Sequence, residues 1–136
     1  LHTYVRVADV RRVHLQGLGG VTFRDRVSGG ERSEREDVLK LRGETDRVYL
    51  NAPAAVRVRD AAGRRVVTLQ KRGFADLVVW NPWAVAARAL PDLGDEEYRE
   101  FVCVEPAAVA RPIFLDPGAR WAGSQTLRAE PLHDEE

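Results

Sequence analysis

Apolar and polar residues alternate along most of this chain with a period of two, the spacing of half-buried β-strands. Residues 1–9 put Leu1, Thr3, Val5 and Val7 on one face and His2, Tyr4, Arg6 and Ala8 on the other. Residues 10–16 continue in β-like fashion until Gly17-Leu18-Gly19-Gly20 turns the chain, and residues 21–25 form a short strand. Another strand starts over 46–50 and ends at Asn51-Ala52-Pro53. Residues 55–60 and 65–71 make a hairpin closed at Ala61-Ala62-Gly63. Residues 76–81 are strongly apolar and stop at Pro82. Residues 101–107, 112–115 and 122–130 supply three further strands, with a tight turn at Asp116-Pro117-Gly118. Helix is confined to a brief coil over 83–89 and to residues 95–100, whose acids suit a helix N-terminus but which are too short for more than a turn or two. The pattern predicts about eight to ten short strands and an all-β class. An antiparallel β-sandwich is favoured over a barrel.

One stretch breaks the alternation. Between residues 24 and 47, 14 of 24 positions are charged, seven of each sign, and Gly29-Gly30 interrupts them. That composition predicts a solvated loop, relieved at most by a short strand over 38–41, or else the border of a functional site. Residues 131–136 read as an acidic tail. Over all 136 residues, 21 basic and 21 acidic side chains cancel, so no overall field draws the chain to nucleic acid or to an anionic membrane. No apolar run is long enough for a membrane helix and no signal-peptide pattern opens the chain, which makes a cytoplasmic location the expectation. The length suits one domain at most. The chain has no methionine and starts directly in a strand pattern, so it is expected to be part of a longer protein.

The single cysteine, Cys103, cannot form an internal disulfide and reads as a small buried hydrophobe. His2, His14 and His133 are too scattered to suggest a metal site. Gly17-Leu18-Gly19-Gly20 lacks the lysine and the following helix of a phosphate-binding loop. Glu105 is different. It lies inside the apolar run Phe101-Val102-Cys103-Val104-Glu105-Pro106-Ala107, on one face with Phe101 and Cys103. A carboxylate there must be paired, hydrogen-bonded or kept neutral, unless Pro106 ends the strand and lets it reach water.

Four strings are more specific than strand propensity requires: Leu1-His2-Thr3-Tyr4, Gly43-Glu44-Thr45-Asp46-Arg47-Val48-Tyr49, Val78-Val79-Trp80-Asn81-Pro82-Trp83 and Phe101-Val102-Cys103-Val104-Glu105. With Pro117-Gly118 and Trp121 behind them, and in that order, the chain resembles the C-terminal portion of the hexose-6-phosphate mutarotases, or glucose-6-phosphate 1-epimerases, of the aldose 1-epimerase superfamily. The resemblance runs from residue 1 to about residue 130. It implies the galactose mutarotase-like supersandwich, incomplete here for want of an N-terminal half, with residues 1–136 forming the C-terminal part of a single domain. It makes His2 the catalytic acid, Glu105 the catalytic base and Asp46 a binder of sugar hydroxyls. The family's phosphate-gripping arginines fall outside these residues, and Arg42 and Arg47 are expected to pair with neighbouring acids. Pro106 directly after the glutamate and Val5 after the His-Thr-Tyr string depart from the family pattern.

The implied reaction interconverts the α and β anomers of an aldohexose 6-phosphate such as glucose 6-phosphate. A base takes the proton of the anomeric hydroxyl while an acid protonates the ring oxygen. The ring opens, the C1–C2 bond rotates, and the reverse transfers close the other anomer. The resemblance implies no metal and no other cofactor, and a hexose 6-phosphate as the partner; nucleic acid and membrane are not expected, and the oligomeric state is left open. Two other readings stand beside it: a non-catalytic carbohydrate-binding β-sandwich and an inactive fragment of the epimerase. Trp80, Trp83 and Trp121 are expected to pack, with a face of Trp80 or Trp83 as the alternative platform for a sugar.

Overall fold

The computed structural model describes residues 1–134, which form two antiparallel sheets packed face to face. The strands are β1 (Tyr4–Arg6), β2 (Val13–Gln16), β3 (Thr22–Asp25), β4 (Glu31–Ser33), β5 (Val38–Lys40), β6 (Thr45–Tyr49), β7 (Ala55–Asp60), β8 (Arg65–Arg72), β9 (Asp76–Asn81), β10 (Phe101–Ala107) and β11 (Ser124–Pro131). One short helix, α1 (Trp83–Arg88), and two 3-10 turns (Val10–Arg12 and Glu97–Glu100) connect them. One sheet has the order β1-β10-β9-β6-β3-β4, the other β11-β8-β7-β2-β5.

The period-two alternation is what joins the sheets. Val5, Val102, Val104, Val79, Leu77, Tyr49 and Phe23 point inward from the first sheet. They meet Val13, Leu15, Leu39, Val56, Val58, Val67 and Leu69 from the second, all of them buried. Each such side chain contributes about 1.5–3 kcal/mol by leaving water, more than the rim charges supply. Pro106 lies opposite Leu77 on this inward face, so the proline after Glu105 adds to the core and leaves the outward-facing carboxylate in place. Asn81 ties the end of β9 to the approach of β10: its Nδ2 donates to the carbonyls of Tyr98 (2.9 Å) and Phe101 (2.8 Å), and its Oδ1 accepts from the N–H of Trp83 (2.9 Å).

Three local expectations are corrected. Residues 10–12 form a 3-10 turn before β2, capped by Asp9, whose carboxylate accepts from the Arg11 N–H. The charged stretch forms the short strand expected over 38–41, as β5, but is otherwise no solvated loop, because it also holds β4 and buries Asp25 and Glu34. Glu34 accepts from Arg47 (2.9 Å) and from the Tyr49 hydroxyl (2.7 Å), and Asp25 from Arg32 (2.8 Å) and the N–H groups of Val27 and Ser28. Mutual pairing of opposite charges is what lets such a polar segment enter the fold. Residues 112–115 form no strand; Pro112 lacks a donor, neither sheet reaches them, and Phe114 is 89% exposed. Residues 95–100 form the turn or two of helix that their acids suggested, a turn at 95–96 and then the 3-10 turn Glu97–Glu100. Of the acidic tail, Pro131 ends β11 and Asp134 pairs with Arg64 at 2.7 Å, while residues 135–136 lie outside the described residues.

Candidate active site

Strand β1 is the edge of the first sheet and runs antiparallel to β10, with Tyr4 opposite Cys103. Two residues further along that ladder, His2 stands opposite Glu105, and the Val104 N–H to Thr3 carbonyl bond (3.1 Å) keeps the strands together there. The Leu1 amino group donates to the Pro106 carbonyl at 2.8 Å. The result is a contact of 3.0 Å between His2 Nδ1 and Glu105 Oε1. The Glu105 side chain is 14% exposed and the imidazole 94% exposed. The buried-strand carboxylate thus resolves as a paired one.

Asp46 lies on the same face. Strand β9 separates β10 from β6, and its Trp80 is opposite Cys103 on one side and Asp46 on the other. Glu105 pairs with Val78, two residues from Trp80. The Cα atoms of Glu105 and Asp46 are therefore two strand spacings across and two residues along, roughly 12 Å apart. Val78 and Trp80 of β9 lie between them on the same outward face. The guanidinium of Arg26 is the cation within ion-pair range of Asp46 among the described residues, with Nε 3.8 Å from Oδ2, and the Arg26 N–H donates to the Asp46 carbonyl at 2.8 Å. Burial pushes the Asp46 carboxyl above its ordinary value, and Arg26 opposes that shift.

The other candidates fall elsewhere. Cys103 is fully buried on this face; burial and then the Glu105 charge push its thiol far up, so it is a packing group. A cavity of about 740 Å³ opens at the far end of the sandwich, lined by Phe23, Glu34, Leu39 and Arg47 among others, and none of the three candidate residues reaches it. Arg47 and Arg42 are engaged there by Glu34 and Glu36, acids distant in sequence rather than their immediate neighbours. His14 lies in β2 on the second sheet and His133 beyond β11. Among the described residues no group of three or more His, Cys, Asp or Glu is placed to hold a metal ion. No helix of the described residues is long and apolar enough to cross a membrane.

Residues 1–128 match the aldose 1-epimerase family. The chain belongs to that family. A protein of Cenchrus ciliaris with the provisional designation glucose-6-phosphate 1-epimerase is 41% identical over 131 residues, 96% of this chain and 40% of that protein. A protein of Escherichia coli strain K12 with the same provisional designation is 34% identical over 79% of this chain and 36% of its own length. The crystal structure of YeaD from Salmonella typhimurium, provisionally a mutarotase, superposes with a TM-score of 0.90 at 30% identity over 96% of this chain and 44% of that one. The chain spans about 40% of the length of the curated relatives it matches. Around these candidate residues, sequence reasoning missed two neighbours: Arg26, hidden in the charged stretch, and the placement of Trp80 between Asp46 and Glu105. The signal for Trp80 was its parity, since Val78 and Trp80 alternate with the inward Leu77 and Val79.

Proposed function

We propose that this chain carries the acid/base pair of an enzyme that interconverts the anomers of an aldohexose 6-phosphate, and that it forms the C-terminal part of that enzyme's domain. The observation that carries the reading is the 3.0 Å contact of His2 with Glu105 on the sheet face that also bears Asp46. The anomeric hydroxyl and the ring oxygen are bonded to the same carbon, so an acid and a base serving both must be neighbours. Glu105 takes the hydroxyl proton, His2 protonates the ring oxygen, and the open-chain aldehyde turns about C1–C2 before the transfers reverse. Asp46, across β9 from them, accepts hydrogen bonds from ring hydroxyls. The hexose 6-phosphate substrate follows the designation of the relatives, and the phosphate is held by residues outside this chain.

The test is the exchange rate between glucose 6-phosphate anomers, followed by NMR exchange or polarimetry, for the full-length protein and its Glu105→Gln form. A fall of about 10²–10⁴-fold is expected for loss of a positioned base. Equal rates remove Glu105 as the base. Sugar binding without any acceleration in the wild-type protein would favour the carbohydrate-binding reading.

A further inference from the structure

Trp80 packs against the core without being covered by it. Its side chain is only partly buried, at the middle of the row Tyr4, Cys103, Trp80, Asp46 that crosses β1, β10, β9 and β6. The indole is held from one side by aromatic neighbours. The Tyr4 ring meets it edge-on at 6.2 Å and the Phe101 ring lies 5.8 Å away at 35°. Those rings, with Leu90, Asp92 and Leu93, enclose a notch of about 250 Å³. Trp83, two residues after Asn81, packs instead on Tyr98 at 5.6 Å. Only one of the two tryptophans that flank Pro82 therefore lies between the carboxylates.

We propose that the Trp80 indole is the platform for the apolar face of the substrate's pyranose ring, and that it sets which edge of the ring meets His2 and Glu105. The inference rests on the function proposed above. A pyranose has a C–H face that gains from aromatic contact and a hydroxyl rim that seeks acceptors. On this sheet the aromatic floor is flanked by Asp46 on one side and by the acid/base pair on the other. The edge-on Tyr4 ring and the tilted Phe101 ring restrain the indole before a sugar arrives. A platform binds ground state and transition state alike, so its loss acts mainly on KM.

The experiment uses the full-length protein with Trp80→Leu, Trp80→Phe and Trp83→Phe, read by anomer exchange and by intrinsic fluorescence during titration with glucose 6-phosphate. Trp80→Leu is expected to raise KM at least ten-fold while kcat changes less, and Trp80→Phe to fall between it and wild type. The fluorescence response of wild type is expected to persist in Trp83→Phe and to vanish in Trp80→Phe. An unchanged KM in a Trp80→Leu protein with a wild-type melting curve overturns the platform, as does a response that survives in Trp80→Phe. Failure of the catalytic reading is seen separately: wild-type exchange in Glu105→Gln would remove the base and leave the fluorescence result standing.

Discussion

His2 Nδ1 and Glu105 Oε1 meet at 3.0 Å across a sequence separation of 103 residues, the imidazole open to solvent and the carboxylate nearly covered. Chemistry and stability therefore separate at His2. Glutamine at this edge position still offers a donor to the nearly covered Glu105 carboxylate, so His2→Gln is expected to change folding free energy by no more than about 1 kcal/mol. Loss of a general acid costs about 10²–10⁴-fold in rate. His2→Gln in the full-length protein is expected to keep its denaturation midpoint within that margin and lose anomer exchange to that degree. Urea titration and NMR exchange on one preparation check both halves.

Asp46 supplies a pH dependence whose sign can be worked out. Burial raises its carboxyl above the ordinary value, and Arg26 holds the shift in check. As a hydroxyl acceptor Asp46 must be ionised, so KM is expected to rise as pH falls into the range just above the usual carboxylate value. Arg26→Leu should move that inflection to higher pH, and Asp46→Asn should abolish it. The stability sign is opposite to that of a paired acid. A carboxyl raised in the folded state costs stability once ionised, so Asp46→Asn is expected to be neutral or slightly stabilising at pH 7. KM profiles with urea midpoints test the pair of statements.

Glu34, Arg47 and Tyr49 form a nearly closed unit in which Arg47 also stacks on Phe23, 4.4 Å from the ring centroid. Burial, then the Glu34 partnership, push the Tyr49 hydroxyl well above its usual range despite Arg47, so it stays a donor. Arg47→Met leaves Glu34 buried without its cation and is expected to cost about 3–5 kcal/mol. The double variant Glu34→Leu with Arg47→Met should recover most of that loss. Equal stability of single and double variants in urea would show that the charges do not depend on one another.

Asp25 defines the acid limb. Burial alone would raise its carboxyl, but the N–H groups of Ser28 and Val27 and the Arg32 guanidinium outweigh it and hold the group far below its ordinary value. The stabilisation is complete above the unfolded carboxylate value and is lost as pH falls below about 4. Asp25→Asn is expected to be less stable than wild type by about 1–3 kcal/mol at pH 7. The two urea midpoints should approach each other as pH falls toward 2.5.

The strands with clean alternation were legible from the chain itself: residues 55–60 and 76–81 form β7 and β9 with the bounds read from the sequence. What alternation could not show is which strands are neighbours. That β9 lies between β10 and β6, bringing Trp80 beside Asp46, is a property of non-local pairing. His2, Asp46 and Glu105 were read through the family resemblance, and their common face follows from register. The charged stretch misled because composition counts charges without seeing partners. Asp25 and Glu34 enter the fold only because Arg32, Arg47 and Tyr49 reach them. Residues 112–115 misled in the other direction, for an apolar run makes a strand only where a sheet edge waits for it.

Side chains of one strand change faces at every residue, and β1 contributes only three residues to its ladder with β10. A slip of one place would set Leu1 or Thr3 across from Glu105 and swing the imidazole toward the packed side. The few backbone bonds at this margin, together with the Thr3 hydroxyl that reaches Gln125 of β11 at 2.8 Å, thus act as the alignment pin of the chemistry. Sequence drift on the outer surface of the opposite sheet is free to accumulate; drift that loosens this short hem is not.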